Sequence, residues 1–221
     1  MPDNQTARIE WRDGAIPVST QFDDPYFSIA SGLEESRHVF LAGNDLPARL
    51  RAGFHVAELG FGTGLNMLAL ALMWEGPEPI RFTSFEAFPM TAADIATSLG
   101  AFPEVQPIAA SFLDAWAKGE RKFTVGHVTV EVIIGDARET LAAWGEQADA
   151  WFLDGFSPQK NPELWGDDLM QAVGQHTATG GTFATYTAAG HVRRKLTDAG
   201  FAVERVTGYG RKRHMSRGTK T

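Results

Sequence analysis

The chain has 221 residues, of which 43% are hydrophobic, and its formal net charge is −7 at pH 7. This size and composition predict one domain able to bury a full core, and the negative charge excludes a uniformly basic nucleic-acid coat protein. The chain contains no cysteine, which excludes disulfides, thiolate metal sites and cysteine nucleophiles, and which is compatible with a location in the reducing cytoplasm.

Residues 1–50 are predicted to form an extension that packs on a single globular core, which residues 51–221 form. Their polar start does not resemble a signal peptide, and no apolar run approaches the length that spans a membrane. The extension is predicted to contain a short hairpin over 10–12 and 15–18, an aromatic turn-rich stretch over 22–27, and short helices over 32–41 and 44–50.

A glycine-rich turn joins a predicted strand, about 54–59, to a predicted helix, about 64–74. Glycines let a backbone turn sharply and approach a ligand closely, and the first turn of a helix presents unpaired N–H groups. The next strand, about 80–86, ends in Glu86, and an acid at that position can hold both hydroxyls of a ribose. These features predict a nucleoside-cofactor site on a doubly wound sheet.

The spacing of the glycines favours S-adenosylmethionine (SAM) over a dinucleotide. The loop has the form G-x-G-x-G, Glu58 precedes its first glycine by two residues, and no Lys or Arg lies between residues 54 and 75. A carboxylate there suits the amino group and sulfonium of SAM better than a pyrophosphate. The alternative, a tight turn with solvated acids, does not explain why acids fall at successive strand ends. The predicted cofactor-binding residues are Glu58, Gly60, Phe61, Gly62, Gly64, Asn66, Glu86, Ala87, Asp136, Ala137 and Asp154.

Strands and helices alternate through the rest of the chain. Helices are predicted over 91–99, 104–120, 137–144, 164–176 and 192–199, and strands over 128–134, 150–153, 181–186, 201–206 and 214–220. Phe112, Leu113 and Trp116 have helical spacing and are predicted core residues. The alternation predicts an α/β fold with a Rossmann-like, mostly parallel, seven-stranded sheet. Ligands of such sheets lie at the carboxyl ends of the strands, where Glu58, Glu86, Asp136 and Asp154 should converge.

The loop over 154–165 is the predicted acceptor side of the site, with Asp154, Phe156 and Pro158 as the candidate catalytic residues. If the acceptor is an amine, the Asp154 carboxylate could take its proton or hold it in line. The aromatic faces of Phe156 and Tyr26 could stack on a base. Asp154 could instead be a turn acid, and the prolines could only stiffen the loop. Lys160 pairs either with a phosphate or with a nearby acid.

Two further features concern metals and nucleic acid. The six histidines show no ligand spacing, so no metal site is predicted. The last eleven residues contain basic side chains and no acid, which predicts either a phosphate-binding patch or a solvated tail. These side chains are Arg211, Lys212, Arg213, Arg217 and Lys220.

Five stretches together, 58–66, 84–89, 149–165, 182–190 and 208–213, resemble the methyltransferase half of the bacterial proteins of tRNA 5-methylaminomethyl-2-thiouridine biosynthesis (MnmC-like). The resemblance implies a class I SAM-dependent methyltransferase that N-methylates 5-aminomethyl-2-thiouridine at the wobble position (U34) of tRNA. It also implies that Glu58 and the glycine loop contact the methionine moiety, that Glu86 holds the ribose, and that residues 154–158 face the amine. By the same resemblance, Asp136 and Ala137 meet the adenine, while Asn44 and 211–213 line the pocket or its tRNA approach.

The chain departs from that family in two ways. Many members continue into a flavin-dependent oxidase half, whereas this chain ends at Thr221. We therefore expect methylation only, with the aminomethyl substrate made by a separate FAD-dependent oxidase or by upstream wobble-uridine enzymes, unless the chain is an excised half. Ser157, Gln159 and His214 also differ from the residues expected in the family, which affects the detail of the amine pocket.

Three other functions compete with this interpretation. The acidic net charge favours a SAM-dependent methyltransferase of a small-molecule or protein amine, while the basic C-terminal run disfavours it. A SAM-binding module without catalytic activity is disfavoured by Asp154 and the complete glycine loop. An NAD-linked oxidoreductase is disfavoured by the glycine spacing.

Overall fold

The computed structural model describes residues 6–14, 16–27 and 31–221. The polar start of the chain, residues 1–5, and Ala15 of the predicted hairpin lie outside the described residues. Within the described part, no helix is both long enough and apolar enough to cross a bilayer.

Two sheets and seven α-helices make up the described fold. The strands are β1 (Ile9–Arg12), β2 (Ile16–Ser19), β3 (Asp24–Pro25), β4 (His55–Leu59), β5 (Ile80–Glu86), β6 (Lys122–Val125), β7 (Val128–Ile134), β8 (Ala148–Leu153), β9 (Thr177–Thr185), β10 (Phe201–Thr207) and β11 (His214–Lys220). The helices are α1 (Gly32–Ser36), which continues as a π-helix over Arg37–Leu41, and α2 (Leu65–Met73), α3 (Ala92–Leu99), α4 (Gln106–Ala117), α5 (Ala137–Thr140), α6 (Asp167–Gln175) and α7 (Gly190–Asp198).

The main sheet has eight strands in the order β10-β11-β9-β8-β4-β5-β7-β6. The five central strands, from β9 to β7, pair in parallel, and β6 and β11 pair antiparallel with their neighbours. Because β4 is central and covered on both faces, all five of its residues are buried. The carboxyl ends of β4, β5, β7 and β8 therefore meet at one edge, as the α/β prediction requires.

Two hydrophobic clusters hold the layers together, one on each face of the main sheet. One cluster includes the buried α2 and α4 side chains, among them Leu68, Phe112 and Trp116. The other includes Trp151, Leu169 and Leu196 from β8, α6 and α7. Phe112 and Trp116 are thus core residues as predicted, while Leu113 is partly buried against the same cluster.

Several element predictions differ from the structure. The sheet has eight strands because β6, with its exposed Lys122 and Thr124, forms an antiparallel edge that was not predicted. The predicted helix over 44–50 is wrong: a single 3-10 turn, Ala42–Asn44, ends at Asp45, whose φ of 56° lies in the left-handed region. The predicted helix over 164–176 is divided by Gly166, whose extended backbone separates a 3-10 turn from α6.

Candidate functional site

A cavity of about 1170 Å³ opens at the carboxyl ends of β4, β5, β7 and β8. Its size exceeds that of typical single-ligand pockets, which leaves room for a cofactor and an acceptor together. The predicted site residues that line it are Tyr26, Gly60, Phe61, Gly62, Asn66, Glu86, Ala87, Asp136, Ala137, Asp154, Phe156, Arg211 and Lys212. Glu58, Gly64, Asn44, Pro158, Lys160 and Arg213 lie outside this lining.

The backbone of the glycine loop comes close to the backbone of the acceptor loop. Gly60 and Gly62 have φ values of 80° and 53°, a region that side chains rarely adopt. A Cβ built on Gly60 would lie 3.3 Å from the Cα of Gly155, so the cofactor loop and the acceptor loop nearly touch. Such a bare backbone cradle fits a ligand that must approach both loops.

Glu86 links the end of β5 to the glycine loop. Its carboxylate accepts hydrogen bonds from the backbone N–H groups of Gly62, at 2.9 Å, and Phe88, at 2.7 Å. Burial raises the pKa of Glu86 above its usual range, although backbone N–H groups of Gly62, Phe88, Phe61 and Ala87 oppose the shift. Glu86 lines the cavity, so its carboxylate faces the space that a ligand would fill.

A buried polar network connects two acids behind the loop. Asn66, at the start of α2, donates through its Nδ2 to Glu58 Oε1 at 2.9 Å and to Asp154 Oδ2 at 2.8 Å. Ser84 Oγ donates to Glu58 at 2.7 Å, and Ser36 Oγ donates to the amide oxygen of Asn66 at 2.6 Å. Glu58 is fully buried and is absent from the cavity lining, so its direct contact with the methionine moiety stays a prediction. It reaches the cavity through Asn66.

Asp154 borders the cavity directly. Its Oδ1 accepts the backbone N–H of Gly155 at 2.8 Å, and its Oδ2 accepts from Asn66. Burial raises the pKa of Asp154 to about 6, while the two hydrogen bonds act in the opposite direction. Above that pH the group is an ionised carboxylate that can accept a proton or hold a cation.

Aromatic packing fixes the acceptor loop. The Phe156 ring stacks on Phe22, with centroids 4.7 Å apart, and meets Tyr26 edge-on at 5.0 Å. Trp165 Nε1 donates to the Phe156 carbonyl at 2.9 Å, and the Ser157 N–H donates to Asp24 at 2.8 Å. Phe156 is therefore held from both sides, and one side comes from the N-terminal extension.

The end of β7 and the start of α5 supply another part of the cavity lining. Asp136 caps α5 by accepting the Arg138 backbone N–H at 2.9 Å, and it also binds the Arg138 guanidinium, which lowers the pKa of Asp136. Ile134, one of the two large exposed apolar side chains among the described residues, lines the cavity beside Asp136 and Ala137. This surface fits a planar base.

Two predicted contact residues have other partners. Asn44 is fully buried, where it donates to the carbonyls of Phe40 and Trp151 and accepts from Thr182, so the expectation that it lines the pocket is wrong. Lys160 pairs with the carboxylate of Asp23 at 2.9 Å. Of the two predicted partners, a phosphate or a nearby acid, the structure therefore shows the acid.

The basic C-terminal run is divided between the turn after β10 and the strand β11. Arg217 pairs with Glu204 and Asp45, and Lys220 donates to the carbonyl of Ala199 at 2.6 Å. Arg211 and Lys212 lie instead on the turn between β10 and β11 and line the cavity. The run is therefore neither a free tail nor one continuous patch.

Several lining residues received no role from the sequence. They include Glu35, Phe22 and Tyr186, and each reaches the cavity from an element far away in the chain. Tyr186 lies in the stretch 182–190 of the family resemblance, and Glu35 lies in the predicted helix 32–41, but no spacing relates either residue to Asp154. Among the described residues, no group of three or more His, Asp or Glu is suited to hold a metal ion.

Comparisons with known proteins place the chain in a family. A family model described as S-adenosyl-L-methionine-dependent methyltransferase matches residues 100–221. The tRNA 5-methylaminomethyl-2-thiouridine biosynthesis bifunctional protein MnmC of Chromobacterium violaceum is 44% identical over 96% of this chain. The protein of the same name from Pseudomonas aeruginosa PAO1 is 42% identical over 99% of the chain. The chain covers 34% and 36% of these proteins, so it spans about a third of the curated relatives that it matches.

Solved structures show the same fold. The crystal structure of MNMC2 from Aquifex aeolicus superposes with a TM-score of 0.71 and 26% identity, over 98% of this chain and 71% of that chain. Spermidine synthase from Thermotoga maritima, with a TM-score of 0.57 and 11% identity, covers 98% of this chain and 73% of its own, and it shares the fold alone. Since the family model matches more than half of the residues, this chain belongs to the S-adenosyl-L-methionine-dependent methyltransferases.

Proposed function

We propose that the chain transfers a methyl group from SAM to the primary amine of 5-aminomethyl-2-thiouridine at the wobble position of tRNA, giving 5-methylaminomethyl-2-thiouridine. One observation is the main support: the likeness to proteins named for this nucleoside extends over 96–99% of the chain at 42–44% identity. It therefore includes both the cofactor loop and the acceptor loop.

The residues present fit SAM. The glycine loop and Asp154 would hold the cationic methionine end, with Glu58 acting through Asn66. Glu86 would accept the ribose hydroxyls, and the surface of Ile134, Asp136 and Ala137 would take the adenine. When bound, SAM supplies an electrophilic methyl group on a positively charged sulfur, so the protein mainly has to position the two reactants.

The acceptor amine must lose a proton before it can attack. Asp154 would accept that proton, or would hold the amine while water accepts it. Methyl transfer from the bound sulfonium to the neutral amine would then give the protonated secondary amine and S-adenosylhomocysteine. The second proton would leave the nitrogen afterwards, to solvent. Phe156, fixed between Phe22 and Tyr26, would provide the aromatic wall for the base.

The substrate must be delivered by other enzymes. A separate FAD-dependent oxidase, or an upstream wobble-uridine enzyme, would generate the aminomethyl group on tRNA. A tRNA substrate also implies a cytoplasmic location for the reaction. The cavity-lining Arg211, with its neighbour Arg213, would meet the tRNA backbone.

Transfer of labelled methyl from SAM to tRNA carrying 5-aminomethyl-2-thiouridine, with nucleoside analysis, tests the proposal. We expect labelled 5-methylaminomethyl-2-thiouridine from the wild type, and a rate at least about 100-fold lower from Asp154→Asn, consistent with loss of a general base. SAM affinity should fall far less than the rate in that variant, because the glycine loop and Glu86 still hold the cofactor. Asp167→Asn, a change at a mostly exposed acid paired with Lys195, is the matched control and should be fully active.

The main alternative is methylation of a small-molecule or protein amine, which the net charge of −7 favours. The same assay with free amines and bulk protein as acceptors separates the two. No transfer to tRNA while SAM still binds would overturn the tRNA proposal. Unchanged turnover in Asp154→Asn would overturn the role of Asp154.

A further inference from the structure

A lysine ammonium group lies against the acceptor side of the cavity. Lys212 Nζ is 2.8 Å from Glu35 Oε1 and 4.0 Å from the centroid of the Tyr186 ring. All three residues line the cavity. The Glu35 side chain is only 12% exposed, whereas that of Lys212 is 46% exposed, so the carboxylate is fixed and the lysine is accessible.

The partners of Lys212 are fixed to the reacting loop. The Tyr186 hydroxyl donates to the carbonyl of Gly155 at 2.8 Å, directly after Asp154. Glu35 precedes Ser36, which donates to Asn66 in the Asp154 network. The charges of Lys212 and Glu35 act on Asp154 in opposite directions, which shows that the three groups share one electrostatic environment.

A carboxylate beside an aromatic face is suited to bind an alkylammonium ion. A carboxylate gives a charge-assisted hydrogen bond, and an aromatic face attracts the cation through its quadrupole. The end of a lysine side chain, –CH2–NH3⁺, is the same chemical group as the protonated aminomethyl substituent of the proposed substrate. A site that holds one can hold the other.

We propose that Glu35 and the face of Tyr186 form the subsite for the acceptor ammonium, and that Lys212 occupies it until the substrate displaces it. This inference rests on the proposed function for the identity of the amine. The exchange replaces one cation by another, so substrate binding does not leave the Glu35 carboxylate without a counter-charge. Binding of a neutral acceptor would displace Lys212 without replacing its charge, which gives the subsite a preference for cations at the binding step.

The position of Lys212 in the chain makes displacement feasible. It lies on the turn 208–213, which is closed by hydrogen bonds from Gly208 to Arg213 and from Lys212 to Tyr209, and which joins two antiparallel strands. The lysine side chain can leave Glu35 without breaking these backbone bonds. Once displaced, its charge lies beside Arg211 at the cavity rim.

The first test does not depend on methyl transfer. Protein containing ¹³C-labelled lysine and bound S-adenosylhomocysteine is titrated with ethylammonium chloride, and the Lys212 Cε signal is identified by its loss in Lys212→Met. We expect a saturable shift towards the position of a free lysine, and no such shift with sodium chloride at equal ionic strength. In Glu35→Gln the signal should start near the free position. No shift, or an equal shift with both salts, would overturn the subsite.

The second test uses methyl transfer to 5-aminomethyl-2-thiouridine as the free nucleoside, which removes phosphate contacts. Glu35→Gln should raise KM at least tenfold with unchanged SAM affinity, whereas Lys212→Met should lower KM about threefold by removing the competitor. An equal loss in both variants would mean that Lys212 contacts the substrate, and would overturn the displacement. The matched controls are Lys122→Met and Glu131→Gln, a surface pair on β6 and β7.

Methyl transfer by the wild type, considered together with the ethylammonium titration, separates failure of the proposed function from failure of the subsite. If the wild type methylates neither the free nucleoside nor tRNA that carries it, but ethylammonium still displaces Lys212, the proposed substrate is wrong and the subsite stands. If methyl transfer proceeds but ethylammonium has no effect, the proposed function stands and the subsite is wrong.

Discussion

Asn66 is the single side chain that ties the cofactor side of the cavity to the acceptor side. Its one amide nitrogen serves two acids from different strands, Glu58 on β4 and Asp154 after β8. Burial raises the pKa of both acids, and the hydrogen bonds from Asn66 oppose both shifts. The protonation state of Asp154 therefore depends on a residue that is not itself an acid or base.

We expect Asn66→Ala to lower the free energy of unfolding by about 2–4 kcal/mol, because two buried carboxylates lose a donor. It should also raise the pKa of Asp154 and shift the acid limb of the kcat/KM profile to higher pH. Asn44→Ala is the matched control, since Asn44 is equally buried in a separate network. Asn44→Ala should lower the free energy of unfolding by a similar amount without moving the acid limb of the kcat/KM profile. An equal shift of the acid limb in both variants would mean that the loss of stability, and not the lost hydrogen bond to Asp154, causes it.

The pKa of Asp154, about 6, predicts a pH dependence of both activity and stability. Activity should fall tenfold per pH unit below about 6, as the carboxylate gains a proton. For an acid whose folded pKa is raised, ionisation costs stability above pH 6, and this cost disappears as pH falls towards the unfolded value.

Asp154→Asn should therefore be more stable than the wild type at pH 8. We expect a difference on the order of 1–2 kcal/mol, since the open cavity screens part of the charge. Urea unfolding at pH 8 and pH 4.5 measures it, and the difference should shrink at the lower pH. A wild type that is the more stable protein at pH 8 would contradict a raised pKa.

At the scale of elements, the turn between β10 and β11 and the strand that follows it divide the basic residues into two groups. Arg211 and Arg213 are exposed on the turn, whereas Arg217 is held by Glu204 and Asp45 within the sheet. Only the first group is placed to meet phosphates. Charge alone could not separate the groups, because the separation depends on strand pairing.

If Arg211 and Arg213 contact the tRNA backbone, replacing either with Ala should lower the slope of log affinity against log salt by about 1. Arg217→Ala is the matched control, because it removes the same charge from a side chain already paired with acids. Its slope should stay at the wild-type value. Binding of tRNA measured at several salt concentrations distinguishes these outcomes, and equal slopes in all three variants would remove the turn from the tRNA interface.

Local patterns predicted the elements that position the site. The apolar run of β4, the glycines and the helix α2 follow one another within twenty residues, so their order alone indicates a strand, a turn and a helix. The edge strand β6 was missed because its polar outer face gives little apolar signal. Contacts between distant segments were also missed: Glu35 and Lys212 are 177 residues apart, and no spacing relates them.

At the scale of the whole molecule, the N-terminal extension forms part of the acceptor wall. Its small sheet, β1-β2-β3, buries Val18, and Asp24 accepts the N–H of Ser157 from the acceptor loop. The division at residue 50 stays a prediction about domains. The contacts nevertheless make the function of residues 154–158 dependent on the start of the chain.

Phe22→Ala tests this dependence across the molecule. Phe22 stacks on Phe156 and meets Phe88, beside the cofactor residues, edge-on at 5.7 Å. We expect KM for the tRNA substrate to rise about 5- to 30-fold, because a lost aromatic pair and its buried area correspond to roughly 1–2 kcal/mol. SAM affinity should change less than twofold.

Trp11→Ala is the control for this change, because Trp11 is an aromatic residue of β1 in the small sheet and is 37% exposed, whereas Phe22 lies on the turn between β2 and β3. Steady-state methyl transfer and SAM binding are measured for both variants. An equal rise in KM would mean that the effect reflects the stability of the small sheet. A loss of SAM affinity as large as the loss for tRNA would place Phe22 with Phe88 on the cofactor side. The predicted result is a rise in KM for the tRNA substrate with little change in SAM affinity. It would show that Phe22, 134 positions before Phe156 in the sequence, determines where the acceptor loop lies. Aromatic stacking, and not proximity in the chain, would then fix that loop.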